Sequence, residues 1–245
     1  MSWVLNDPYF VFIPRIAEMT YEPAVWAAVV MGAVTVYRMR WWRGFPESRL
    51  FTMAFGAISS AYILAVSPVV EGLNQISINV TGNAIALLAS VLLATLSFSS
   101  LATVALEILT GSRHSGRYVG TVWAMGAVVM IACWFTGDAR HSKTLNSFTA
   151  LDVSARVFAI TYVVLSIATG LVTLVATWQV LQRKGLRPKL RRAAAGLSVT
   201  AACLIGLAAT LLFNALVLDL SSGSAQIIEQ IWWVPITIAL TVAGL

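Results

Sequence analysis

The sequence predicts an all-α, polytopic membrane protein: a bundle of seven transmembrane helices with the N-terminus outside and the C-terminus inside. Apolar residues make up 59% of the 245 residues and charged residues only 11%, whereas soluble domains have about 45–50% apolar and about 25% charged residues. The apolar residues form stretches close to the about 20 residues that cross a bilayer as a helix. The lysines and arginines gather in alternate connections between these stretches, as they do in oriented membrane proteins.

The predicted spans follow in order from the apolar stretches. Pro23 falls in the first turn of the first span, where its missing N–H costs nothing, and Pro68 falls near the end of the second. The third and fifth spans are long enough to tilt or to project beyond the bilayer. Residues 1–20 are too poor in apolar side chains to cross it, so we expect an outer interfacial segment or a loosely packed arm. The spans are 21–42, 50–70, 79–109, 118–136, 152–182, 193–217 and 227–245.

The distribution of charge predicts the orientation. Connections 1–2, 3–4 and 5–6 together carry twelve lysines and arginines. The opposite side carries Arg15, Arg140, Lys143 and Arg156. Because basic connections stay in the cytoplasm, the side with twelve is the inner side of the plasma membrane. Most acidic residues fall on the other side, and Glu47 and Glu107 are the exceptions.

The densest basic cluster lies between the fifth and sixth spans. Its members are Arg183, Lys184, Arg187, Lys189, Arg191 and Arg192. We interpret this cluster as a topological anchor, with contact to acidic lipid or to a cytoplasmic partner as a second role. The net charge of +6 needs no nucleic acid to explain it, because the cations flank apolar spans. The last span ends without a basic flank, so we expect a natural protein with a cytoplasmic tail, or a tail that has been trimmed.

No motif of catalysis or of metal binding is visible. The chain contains no GxSxG sequence, no P-loop and no HExxH sequence. His114 and His141 are isolated, and Cys133 and Cys203 lie inside apolar stretches, where cysteine is usually a small core residue. We therefore expect neither an enzyme nor a bound cofactor or metal.

Polar residues near the outer ends of the spans predict a ligand site, because such residues are costly in lipid and face the bundle or a cavity. Asp152 and Arg156 are four residues apart and share one helix face. The candidate ligand-binding residues are Asp152, Arg156, Asn214, Asp219, Glu229, Trp233 and Asn83. If they converge, they form a polar pocket open to the outside. The alternative is an ion pair that holds the fifth helix against a neighbour, with small residues allowing close packing.

Two predicted spans also carry stripes of small and hydroxyl side chains. In the fifth span the face of Arg156 continues through Ser166, Gly170, Thr173 and Thr177. In the third span Asn83, Ser90, Ser97, Ser100 and Glu107 share one side if the helix supercoils. Both stripes are compatible with helix packing and with a polar path.

Two basic segments carry a family resemblance. Arg38-Met39-Arg40-Trp41-Trp42-Arg43 follows the first span, and the fifth runs through Trp178, Gln182 and Arg183 into Leu190-Arg191-Arg192 and Gly196. In these features, and over most of its length, the chain resembles a bacterial, mostly actinobacterial, family of seven-helix membrane proteins that carries a transporter label. The resemblance implies a cytoplasmic tail after the last helix, which this sequence lacks. The layout is also similar to the sensor halves of bacterial receptor kinases and to rhodopsins, but the last span has no lysine for a retinal Schiff base.

The sequence favours a sensor or receptor-like membrane domain that binds a small or amphiphilic ligand near the outer leaflet. The odd number of spans, the outer polar residues and the long third and fifth spans support this function, with a cytoplasmic partner or tail as the output. A small-solute transporter or channel subunit is the alternative, although no internal repeat or matched pair of broken helices points to it. A non-catalytic assembly subunit is the second alternative. The expected partners are the bilayer, a small ligand, and a cytoplasmic protein or a second copy.

Overall fold

The architecture was derived from a computed structural model, which describes residues 23–40, 42, 46–81, 85–112, 114–137, 153–185, 187–217 and 234–244. All regular secondary structure within these ranges is helical. The helices are α1 Pro23–Met39, α2 Pro46–Ala65, α3 Ser67–Thr81, α4 Ala86–Thr110, α5 Ser115–Thr136, α6 Val153–Leu181, α7 Pro188–Val217 and α8 Val234–Gly244. The segment predicted over residues 1–20 lies outside the described residues.

Four of these helices can cross a bilayer by length and composition. They are α4, α5, α6 and α7, whose apolar stretches are Leu88–Thr110, Gly116–Thr136, Val153–Leu181 and Pro188–Leu212. The helices α1 and α8 contain shorter apolar stretches, Val25–Met39 and Val234–Gly244. Large apolar side chains such as Met125 and Val128 are exposed on the bundle surface, where lipid and not water would solvate them. The protein is therefore a helical membrane bundle.

Hydroxyl side chains join several pairs of neighbouring helices. The Ser59 hydroxyl on α2 donates to the Ala28 carbonyl of α1 over 2.8 Å. The Ser90 hydroxyl on α4 donates to the Ala61 carbonyl of α2 over 3.1 Å. The Ser198 hydroxyl on α7 donates to the Thr177 hydroxyl of α6 over 2.7 Å. In lipid, which offers no hydrophobic drive for helix association, such bonds and close packing hold the helices together.

The structure differs from the predicted second and third spans at residue 66. The hydropathy pattern extends the second span to residue 70, but α2 ends at Ala65 and α3 begins at Ser67. Pro68 has no N–H to donate to the carbonyl four residues earlier, so the series of backbone hydrogen bonds along the helix is interrupted there. The N–H groups of Val69 and Val70 both donate to the Val66 carbonyl, each over 2.9 Å, and restart the helix. Residues 79–81, predicted to begin the third span, instead end α3.

The helix α8 closes the bundle against helices that are distant in sequence. Thr237 on α8 is hydrogen-bonded to the side chain of Tyr62 on α2. A Cβ atom on Gly196 of α7 would lie 2.7 Å from the Ala239 carbonyl oxygen. A Cβ atom on Gly244 would lie 2.5 Å from a methyl group of Val34. The backbone of α8 therefore approaches α7 and α1 closely, and α8 completes a ring with α1, α2, α4, α6 and α7.

The helices α4, α5 and α6 contact one another and enclose an aromatic core. The ring centroids of Trp134 on α5 and Phe158 on α6 are 5.5 Å apart. The ring centroids of Phe98 on α4 and Tyr162 on α6 are 6.0 Å apart. The helix α5 lies outside the ring, since 22% of its apolar stretch is buried, against 61% for α4.

These contacts place three connections at the same end of the bundle. They are the connections α1–α2, α4–α5 and α6–α7, and we call this end the basic end. It carries ten described cations: Arg38, Arg40, Arg49, Arg117, Arg183, Lys184, Arg187, Lys189, Arg191 and Arg192. Arg156 is the one described cation at the opposite end. For the described cations, the charge separation predicted along the chain is thus a separation in space.

Candidate functional site

The predicted outer ligand pocket lies mostly outside the described part of the protein. Arg156 is exposed in the first turn of α6. Asn214 belongs to α7, but its side chain is not described. The remaining candidates lie outside the described residues: Asp152, Asp219, Glu229, Trp233 and Asn83. The convergence of these residues therefore stays a prediction.

The stripe of small residues on α6 is a buried helix–helix contact. Ser166, Gly170, Thr173 and Thr177 are all buried. A Cβ atom on Gly170 would lie 3.0 Å from the carbonyl oxygen of Ala201 on α7. The stripe thus allows α6 and α7 to approach closely, which is the packing role considered for it from sequence.

The dense basic cluster surrounds the α6–α7 turn. All six of its side chains, predicted to contact lipid or a cytoplasmic partner, are exposed. Gly185 makes the turn with a φ of 82°, a backbone conformation that favours glycine. Arg183, Lys184 and Arg187 are therefore held on a short connection between two long helices, and the other three charges lie in the first turns of α7, at the surface of the basic end.

Arg38 differs from the other cations of the basic end because it is half-buried between three helices. It lies in the last turn of α1, and its Nη1 donates to the Gly244 carbonyl of α8 over 3.1 Å. Its guanidinium carbon lies 5.3 Å from the ring centroid of Phe51 and 5.7 Å from that of Phe55, both on α2. Its Nε is buried and has no hydrogen-bond partner. One cation thus joins α1, α2 and α8, and we call this group the Arg38 contact.

The contacts described for Arg40 and Arg49 are with residues other than those of α8. Arg40 is exposed, and its guanidinium carbon lies 5.7 Å from the ring centroid of Tyr37 on the same helix. The Nε of exposed Arg49 donates to the Trp42 carbonyl over 2.9 Å, within the α1–α2 connection. The sequence interpretation counted all of them as topological signals. The sequence did contain a signal for the Arg38 contact: Phe51 and Phe55 are four residues apart and therefore share one face of α2, on which a cation can stack.

The helices α5 and α6, which with α4 enclose the aromatic core, carry two buried polar groups for which the described residues offer no hydrogen-bond partner. They are Nε1 of Trp123 on α5 and Oγ1 of Thr173 on α6. Gly126 lies against Leu165, so in this antiparallel pair Thr173 is level with Tyr118 of α5, about 7.5 Å along the helix from Trp123. Each unpaired group costs about 1–3 kcal/mol.

A carboxylate lies at the basic-end edge of this core. A Cβ atom on Gly116, in the first turn of α5, would lie 3.2 Å from Oε1 of Glu107 on α4. Glu107 was predicted near the inner interface, and it is half-buried. Ionisable groups at such positions are often functional in membrane proteins.

Comparisons of the chain with protein-family models, with curated proteins and with solved structures find no match. The assignment of a function therefore depends on the geometry of the chain itself.

Proposed function

We propose that this protein is a multi-pass sensor or receptor-like domain of the plasma membrane. It has seven spans, its N-terminus is outside, and its basic end faces the cytoplasm. A small or amphiphilic ligand binds near the outer leaflet, among the residues predicted from sequence. The resulting helix shift reaches a cytoplasmic partner or tail at the basic end.

The observation that carries this proposal is the way α8 is attached. Close backbone contacts at Gly196 and Gly244 fix its separation from α7 and α1. Two polar contacts then fix its depth, one between Tyr62 and Thr237 and the other at Arg38. A helix attached in this way moves between a few discrete packings and does not deform continuously.

The Arg38 contact is suited to report such a movement. A hydrogen bond from a charged donor contributes about 1.5–3 kcal/mol, and a partly desolvated cation over aromatic rings contributes about 0.5–2 kcal/mol. Both terms depend on the position of α8 and α2 relative to α1. A ligand that favours another packing at the outer end would therefore change the arrangement of the basic end, where a partner can bind.

A transporter or channel subunit remains the alternative function, and a specific observation favours it. Trp123 on α5 and Thr173 on α6 are buried without a described hydrogen-bond partner, on helices that enclose the α4–α5–α6 core, and Glu107 lies at the edge of that core. These groups would stabilise a polar solute passing through that core. Against transport, the described core beyond them is filled by large side chains such as Trp134 and Phe158. An assembly subunit without a ligand would require none of these polar groups.

The receptor proposal predicts that Arg38→Gln releases α8. Spin labels on exposed Val36 of α1 and Val242 of α8, introduced in a Cys133→Ser, Cys203→Ser background, report the separation of the two helices. We expect one dominant distance in the parent protein. In Arg38→Gln we expect a second, longer distance, from molecules in which α8 has separated from α1. The population of this arrangement should rise at least about tenfold for each 1.4 kcal/mol of stabilisation that the Arg38 contact no longer contributes.

Arg40→Gln is the matched control for this measurement. It removes an arginine from the same end of α1 without touching α8. The distance distribution of this variant should equal that of the parent protein. Identical distributions in parent, Arg38→Gln and Arg40→Gln would show that Arg38 does not set the position of α8, and the proposed relay would fail.

A further inference from the structure

The face of α5 that points away from the bundle contains a shallow groove, which starts at the basic end. Its lining includes Arg117, Gly120, Ala124, Met125 and Val128. The lining is mostly apolar apart from Arg117, which is exposed at the first turn of the helix, and Thr121, whose hydroxyl donates to the Arg117 carbonyl. A Cβ atom on Gly120 would meet nothing within 4 Å, so the floor of the groove is open to a molecule from outside. The groove is independent of the contacts that hold α8.

The length of the groove matches one leaflet of a bilayer. Arg117 and Val128 are separated by about 16 Å along the helix, at 1.5 Å per residue. The hydrocarbon core of a bilayer is about 30 Å thick, so one leaflet is about half of that. The apolar part of the groove therefore has the length of an acyl chain, and its one cation lies at the depth of the headgroups.

The charge at the mouth of the groove matches a phosphate. The Arg117 guanidinium offers several N–H donors in a planar array that suits phosphate oxygens. It lies beside the N-terminus of α5, where the helix dipole also attracts anions. Exposed His114 lies immediately before the helix. We propose that this groove binds one anionic phospholipid, with an acyl chain along Gly120, Ala124 and Val128 and the phosphate at Arg117.

A second copy of the chain is a less suitable occupant for the groove. Small residues four apart, as at Gly120 and Ala124, do allow two helices to approach closely in lipid. Two copies with the same orientation would, however, bring both Arg117 side chains to one point of the interface. A phospholipid brings the opposite charge to the same point. The inference does not depend on the receptor function, because the residues that line this face of α5 differ from those that hold α8 and from the predicted ligand-binding residues.

Native mass spectrometry of the whole chain in detergent tests this proposal. The probes are phosphatidylglycerol and phosphatidylcholine with the same acyl chains. The parent protein should retain at least one phosphatidylglycerol. Because one cation near an anionic headgroup contributes about a fivefold gain in affinity, it should bind phosphatidylglycerol about fivefold more tightly than phosphatidylcholine at this site. Gly120→Leu fills the groove from its floor and should retain one lipid fewer. Arg117→Gln should lose the preference for phosphatidylglycerol at that site while still binding phosphatidylcholine there.

Two controls separate this groove from other surfaces. Val122→Leu places the same side chain, leucine, at an exposed position of α5 outside the groove. Arg156→Gln removes an exposed arginine at the opposite end of the bundle. Both should bind lipid like the parent protein, and no variant should have a lower Tm than the parent, because Gly120 faces open space. Unchanged lipid retention in Gly120→Leu would overturn the proposal. So would a dimer that disappears in Gly120→Leu, because it would assign the face to a second copy.

Discussion

At the scale of single residues, close backbone approach and hydroxyl bonds hold this bundle together. Gly170 and Gly196 sit where a side chain would meet the backbone of a neighbouring helix. Hydroxyl groups such as those of Thr169 and Ser166 donate to carbonyls of the preceding turn, each over 2.8 Å, so buried polar atoms are satisfied within their own helix. The sequence indicated small residues on α6, but it could not show which neighbour each of them contacts.

Gly196→Ala should destabilise the bundle by forcing α7 and α8 apart. The new methyl group would lie 2.7 Å from the Ala239 carbonyl oxygen, and a carbonyl in a helix cannot yield without moving the backbone. Overpacking of this kind costs about 1–3 kcal/mol. Thermal unfolding in detergent measures the effect as a lower Tm.

Gly120→Ala is the comparison for that substitution, because nothing lies within 4 Å of its new methyl group. We expect its Tm to be equal to or above that of the parent protein, since alanine favours helix more than glycine does. An equal loss of Tm in both variants would show that α7 and α8 are not in the close contact described here.

At the scale of elements, hydropathy predicts the long helices better than the breaks between them. The helix α6, Val153–Leu181, ends within one residue of the predicted span 152–182 at each side. The break at Val66 was not predicted, because apolar Val69 and Val70 continue the hydropathy pattern beyond Pro68. The pair Ser67-Pro68 was the available signal, since proline is favoured in the first turn of a new helix.

The start of α4 depends on a side chain from another helix. Buried Asn74 on α3 accepts a hydrogen bond from the backbone N–H of Ala86 over 3.0 Å through its Oδ1. Asn74→Ala would leave that N–H buried without an acceptor, at a cost of about 1–3 kcal/mol. Hydrogen exchange of the first turn of α4 should accelerate in this variant.

Gln75→Ala provides the control for this prediction. Gln75 is the exposed neighbour of Asn74 on the same helix, and substitutions at exposed sites usually change stability by less than about 0.5 kcal/mol. Exchange at the start of α4 should match that of the parent protein. Equal protection in both variants would contradict a capping role for Asn74.

At the scale of the whole molecule, the sequence predicted which connections share an end but not how the bundle closes. Alternation of successive spans is enough to place the α1–α2, α4–α5 and α6–α7 connections together. The closure depends on contacts between residues as distant as Arg38 and Gly244, which no local pattern encodes. For the same reason the sequence interpretation treated Arg38 as one charge among many.

The side of the membrane on which the basic end lies decides both the receptor proposal and the leaflet of the proposed lipid site. Exposed Val153 and Gln182 lie at opposite ends of α6 and are uncharged, so Val153→Cys and Gln182→Cys leave the basic cluster intact. Each is placed in a Cys133→Ser, Cys203→Ser background and treated with a membrane-impermeant maleimide. We predict that position 153 reacts in intact cells and that position 182 reacts only after permeabilisation. Reaction at position 182 in intact cells, with position 153 protected, would contradict the account.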